Sequence, residues 1–189
     1  MLRSLFSSGG AVRERPLTLR AFTTAMWYQR KSLRLKQYDY RQDGAYFVTV
    51  CVSNRDCILG RVVNDQMRLN SLGQTVADSL IWLARQYPYV ELDECVVMPN
   101  HVHAILVLTG GSQNAPGRIK TLGSLVAAFK SRSASSINTV RTTRGVRVWQ
   151  RGFYEHVVRD ETDLERIRSY IRDNPAGWAS DDENPAARK

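Results

Sequence analysis

The sequence is short of the features that would settle several function classes at once. It has three cysteines, an odd number, and Cys51, Cys57 and Cys95 all lie in or beside apolar runs. That pattern excludes a disulfide framework and a zinc knuckle, and it reads as small core residues in a reducing compartment. No apolar run approaches the ~20 residues of a bilayer-spanning helix, so a soluble protein with no membrane partner is expected. Acidic residues are scarce, with 18 Asp and Glu against 27 Lys and Arg, for a formal charge of +9. The surplus favours a polyanionic partner, nucleic acid before an anionic membrane surface, and the plain alternative is charge that serves only solubility. No internal repeat is visible.

What is present fits one folded domain. The chain has 189 residues and is 43% hydrophobic, enough for a proper core. Residues 1–25 carry four arginines and one glutamate among small residues. They read as a disordered or transit-like extension, with Met26 as an alternative start. Residues 26–178 read as the domain, and 179–189, opening on Asp181-Asp182-Glu183, as a mobile acidic tail. Tyr28 to Tyr40 interleaves basic and aromatic residues. Such a stretch can follow a phosphate backbone and stack on bases, or be a solvated lead-in to the first strand.

Ala45 to Val52, almost continuously apolar, predicts a central strand covered on both faces. Ile58 to Leu69 predicts a hairpin turning at Asn64-Asp65. Ser71 with Gln74 fits a capping box opening a helix to about Gln86, with Leu72, Val76, Leu80, Leu83 and Tyr87 on one stripe. Val90 to Met98 and His101 to Leu108 predict paired strands, and Thr109 to Lys120 a flexible loop. Leu122 to Val140 predicts a helix burying Leu122, Leu125, Val126, Phe129 and Ile137. Its other side carries Lys130 and Arg132, either a solvated face or the wall of a nucleic-acid groove. A strand ends near Val158, and Asp160 to Asn174 predicts a third helix stopped by Pro175. The order strand, helix, strand, strand, helix, strand, helix fits an α+β fold of ferredoxin-like or RRM-like type, an antiparallel sheet with helices packed on it.

Chemistry concentrates in Met98-Pro-Asn-His-Val-His-Ala-Ile-Leu. Two of the three histidines, His101 and His103, are separated by Val102, so both project from one face of the strand. Two imidazoles so placed can share a metal ion, or can simply be partly buried and hydrogen-bonded. Ile105 and Val107 share that face, so something must cover it. On the third helix Leu164, Ile167 and Ile171 mark the buried stripe, with Tyr170 on its flank and Asn174 one turn on. A helix edge lying over the histidine face brings Tyr170 and Asn174 to the imidazoles. The alternative is a core-edge tyrosine and an ordinary Asn-Pro helix stop.

These blocks, in this order, resemble a known family. The Met98–Leu106 stretch is similar to the His-hydrophobe-His signature of the HUH single-tyrosine transposases. Arg30-Lys-Ser-Leu-Arg-Leu, Tyr38-Asp-Tyr, Gly44-Ala-Tyr-Phe-Val-Thr-Val, Trp149-Gln-Arg-Gly-Phe-Tyr-Glu-His and Tyr170-Ile-Arg-Asp-Asn-Pro resemble the REP-associated tyrosine transposase branch. The resemblance covers about Gln29 to Trp178. It implies a ferredoxin-like fold, cleavage of single-stranded or hairpin-forming DNA, a Mg²⁺ or Mn²⁺ requirement and a 5′-phosphotyrosine intermediate, in a cytoplasmic bacterial protein. Carried onto this chain, the nucleophile is Tyr170 and the metal ligands are His101, His103 and Asn174. Arg30, Lys31, Arg34, Lys36, Lys130 and Arg132 are the candidate DNA contacts, and Tyr154 and His156 rank behind as site residues. Monomer and homodimer stay open, since the loop before the third helix can reach within or between chains. A non-catalytic nucleic-acid-binding module of the same fold is the other class.

Overall fold

A computed structural model describes residues 39–110 and 119–187. The expectations for residues 1–25, for the basic segment holding Arg30, Lys31, Arg34 and Lys36, and for most of the 109–120 loop lie outside the described residues.

The elements run β1 (Gly44–Cys51), β2 (Gly60–Val63), β3 (Gln66–Leu69), α1 (Ser71–Gln86), β4 (Val90–Val97), β5 (His101–Leu108), α2 (Leu122–Val140), β6 (Tyr154–Val157) and α3 (Glu161–Gly177). Four strands form one antiparallel sheet in the order β4-β5-β1-β6, and β2 and β3 form a separate hairpin. With the hairpin set aside, this is the expected ferredoxin-like α+β arrangement. β1 lies between β5 and β6 and is buried from Ala45 to Cys51, as its continuous apolar character required. The hairpin turns at Asn64 and Asp65, both at positive φ (50° and 58°), the two-residue turn whose twist suits antiparallel strands.

Strand alternation sorts the core into two layers. On one face Tyr46, Val48 and Val50 of β1 and Val102, Ala104 and Leu106 of β5 meet Val76, Leu80 and Leu83 of α1 and Leu125, Val126 and Phe129 of α2. On the other, Ala45, Phe47, Ile105 and Val107 meet Leu164, Ile167 and Ile171 of α3. The third helix therefore covers the histidine face.

Four local expectations need correction. The cap of α1 is Asn70, whose side chain accepts from the Leu72 and Gly73 amides, one residue before the expected Ser71. Asn and Ser cap comparably, and Asn70 Nδ2 also donates to the Ile58 carbonyl, which fixes it. The stripe expected on α1 does face the core, with Leu72 and Tyr87 half-buried against the cluster that buries Val76, Leu80 and Leu83. α3 does not stop at Pro175 but runs through it to Gly177, and the Trp178 amide donates to the Pro175 carbonyl. So near a helix end, proline forfeits a single backbone bond. Cys57 is exposed rather than in the core, because it lies in the loop after β1. Lastly, the acidic segment expected to be mobile is packed on the domain at Glu183 and Asn184, while residues 185–187 are exposed. Glu183 and Asn184 are buried, and Glu183 Oε2 pairs with Arg55 Nε at 2.8 Å.

Candidate active site

The site grows from the pairing of β1 with β5. Thr49 stands opposite His103 and Cys51 opposite His101, so the face that begins as Ala45 and Val107 ends as a polar patch. His101 and His103 are both buried, with ring centroids 4.5 Å apart. His103 Nδ1 hydrogen-bonds Thr49 Oγ1 at 2.9 Å, and its ring stacks on Phe47. His101 Nδ1 lies 2.9 Å from Asn100 Oδ1, and Trp178 flanks its ring.

α3 delivers the other half. Its apolar stripe supplies area, and charges fix its register. Arg168 grips Asp93 of β4 through two bonds, at 2.6 and 2.9 Å, beside a register shift between Leu92 and Cys95. At the N-terminal end Asp160 caps the helix, and Asp163 Oδ2 meets His156 Nε2 at 2.7 Å. Thus held, Tyr170 places its hydroxyl 3.4 Å from His103 Nε2, with its ring edge-on to Phe47. Asn174, buried and still helical, lies beside both His101 and Tyr170, and its amide favours the charged form of each.

Electrostatics keeps the site neutral. Burial drives His101 down to about 3. Burial, then the neighbouring imidazole, drive His103 well below its ordinary 6.5. Both rings are therefore uncharged at neutral pH, the form that can bind metal. Burial raises the Tyr170 phenol above 10, and the Asp181 carboxylate pushes the same way. Tyr170 in this setting is a poor nucleophile unless positive charge is brought to it.

The arrangement leaves two buried atoms without a hydrogen-bond partner, His101 Nε2 and Asn174 Oδ1. An orphaned buried polar atom costs about 1–3 kcal/mol, so two at one site ask for a common explanation. An imidazole nitrogen and an amide oxygen are ligand types that a divalent cation accepts, Mn²⁺ more readily than Mg²⁺. Among the described residues no group of three His, Cys, Asp or Glu side chains offers a competing metal site.

The other singled-out residues take different places. Lys130 directs its ammonium to the carbonyls of Gln150 and Gly152, at 2.6 and 2.8 Å, tying that loop to α2. The Arg132 guanidinium lies over the Trp82 ring, 4.6 Å from its centroid. His156 is engaged with Asp163, and Tyr154 packs against Phe47. Sequence reasoning missed Thr49, Asn100 and Asp181. The first two adjoin the histidines across the pairing or along the chain, a signal that was available. Asp181, whose carboxyl burial raises, depends on the docking of the segment after α3, which has no periodicity to read.

Residues 41–174 match the family described as Transposase IS200 like, a span that holds all four central residues. The chain is 38% identical over 168 residues to an uncharacterized protein of Haemophilus influenzae, covering 82% of this chain and 92% of that one. It is 28% identical to the REP-associated tyrosine transposase of Escherichia coli, covering 74% and 72%. In fold it is similar to a solved REP-associated tyrosine transposase bound to a REP hairpin, with TM-score 0.54 and 24% identity over 76% of this chain and 72% of the other.

Proposed function

We propose, from the premise that this chain belongs to the IS200-like transposase family, that it cuts and rejoins single-stranded or hairpin-forming DNA through Tyr170. The observation that carries this reading is the convergence on one buried patch of the Tyr170 hydroxyl, 3.4 Å from His103 Nε2, and the orphaned His101 Nε2 and Asn174 Oδ1. His101, His103 and Asn174 would hold Mg²⁺ or Mn²⁺, which when bound polarises the phosphodiester and offsets charge in the transition state. Tyr170 Oη attacks phosphorus in line. One bond forms from the phenol oxygen to phosphorus and the phosphorus–O3′ bond breaks. The phenol gives up its proton, the departing O3′ takes one up, and a 5′-phosphotyrosine and a free 3′-hydroxyl result. The phosphotyrosine bond keeps the energy of the broken one, so rejoining needs no ATP. Thr49, Phe47 and the Arg168–Asp93 pair orient the reacting groups.

REP hairpin DNA is the substrate class suggested by the similar transposases. The formal charge of +9 supports a phosphate-rich partner. A second reading, a non-catalytic DNA-binding module, draws on the burial of Tyr170 and the nearby Asp181, both of which oppose the phenolate. Incubation with hairpin oligonucleotides and Mn²⁺ separates the two. The catalytic reading expects a covalent protein–DNA adduct that Tyr170→Phe abolishes, whereas the binding reading expects retention without adduct. Cleavage that needs His101 but survives Tyr170→Phe would instead indicate a water-using nuclease.

A further inference from the structure

Asn100, within the Met-Pro-Asn-His motif, has so far been only a neighbour of His101. It is fully buried, and its side-chain amide is engaged at both the nitrogen and the oxygen. Its Nδ2 donates two bonds, to the Arg55 carbonyl at 3.0 Å and the Glu183 carbonyl at 2.7 Å. Both partners are oxygens that only accept, so the amide cannot be turned over: a flipped Oδ1 would face two carbonyls. Oδ1 is thereby fixed toward His101 Nδ1, 2.9 Å away. An amide oxygen only accepts, so the ring hydrogen must sit on Nδ1. In a neutral imidazole Nε2 then keeps its lone pair, and Nε2 is one of the orphaned atoms.

We propose that Asn100 is a positioning residue that holds His101 in the tautomer whose Nε2 is open to a cation, and that the docked C-terminal segment in turn holds Asn100. The second half follows from Glu183. Its carbonyl takes one of the two Asn100 hydrogens, while its carboxylate pairs with Arg55, whose carbonyl takes the other. The Val52 amide bonds the Asn100 carbonyl at 2.8 Å, fixing the backbone as well. His103 has no such lock, because the Thr49 hydroxyl can donate or accept. The inference rests on the metal reading above only for its use. The tautomer itself can be measured without metal or DNA.

The test is long-range ¹H–¹⁵N correlation of the histidine rings in the metal-free protein, with Mn²⁺ binding measured alongside. In the wild type His101 is expected with hydrogen on Nδ1. Asn100→Leu, which removes the acceptor, should shift His101 toward the Nε2-hydrogen form and weaken Mn²⁺ binding about 10–100-fold. Asn100→Asp keeps an acceptor toward Nδ1, so it should keep the tautomer and bind Mn²⁺ within a few fold of wild type, although both variants melt lower. A merely structural Asn100 would lower melting without moving the tautomer. A wild-type His101 protonated on Nε2, or an Asn100→Leu ring still protonated on Nδ1, would overturn the proposal. If Asn100→Leu does not fold, the wild type and Asn100→Asp decide. A wild type with the expected tautomer but no Mn²⁺ binding would sink the metal reading and leave the tautomer assignment standing.

Discussion

Behind β1 and β5, Tyr46, Val48, Val50, Val102 and Leu106 meet two helices in a largely apolar layer. In front, the same strands meet one helix, and the apolar layer gives way after Phe47 and Ile105 to Thr49, His103 and His101. The back face is held mainly by area, with a buried hydrogen bond from Trp149 Nε1 to Ser133 Oγ. The front face has less area and is braced by polar contacts, Arg168 on Asp93 and Asp163 on His156. Side-chain alternation lets one pair of strands serve both purposes, so polar groups can be spent in front without loosening the back. The cost is local: two orphaned atoms and a half-buried phenol lie where packing alone would have placed leucines.

Variants on either face sharpen that contrast. The largest stability loss should come from the back. Phe129→Ala, fully inside the α1–α2 layer, should cost about 3–5 kcal/mol by denaturant unfolding, in one cooperative transition. Arg168→Ala should cost less, about 1–3 kcal/mol, by leaving Asp93 half-buried without its partner. Hydrogen exchange should show α3 opening before α1 and α2. Equal protection of all three helices would mean the front face is not the weaker.

Acid should act on the same brace. Arg168 holds the Asp93 carboxyl below its ordinary 3.8. Burial alone would raise Asp163, but bonds from His156 and Arg166 outweigh it and hold that carboxyl well below 3.8 too. Groups depressed on folding stabilise above their unfolded pKa and lose that contribution as pH falls through the folded value. Stability should therefore drop below about pH 4, with α3 loosening first, and Arg168→Ala should flatten the drop. The smallest effect on folding is expected for Asn174→Leu. Removing an orphaned oxygen offsets the lost amide contact to Asp181, so stability should change by no more than about 1 kcal/mol while Mn²⁺ binding is lost.

The parts of the front face that follow a period were legible in the sequence. Alternation placed His101 and His103 together, and the 3.6-residue stripe placed Leu164, Ile167 and Ile171 inward with Tyr170 and Asn174 on the edge. The apolar run His101–Leu108 and the stripe over Leu122–Val140 coincide with β5 and α2. What escaped has no period. The Arg55–Glu183 pair joins residues 128 apart. The run of α3 through Pro175 depends on the segment that docks after it. Charge alone makes Lys130 a candidate phosphate contact, and nothing local announces the two loop carbonyls within its reach.

The central claim is that Tyr170 forms the bond to DNA. Wild-type and Tyr170→Phe protein should be incubated with a hairpin oligonucleotide and Mn²⁺, resolved on a denaturing gel and digested for mass analysis. A covalent adduct mapping to Tyr170 in the wild type and absent from the phenylalanine variant is the expected result. An adduct that persists in Tyr170→Phe, or maps to another residue, would contradict it.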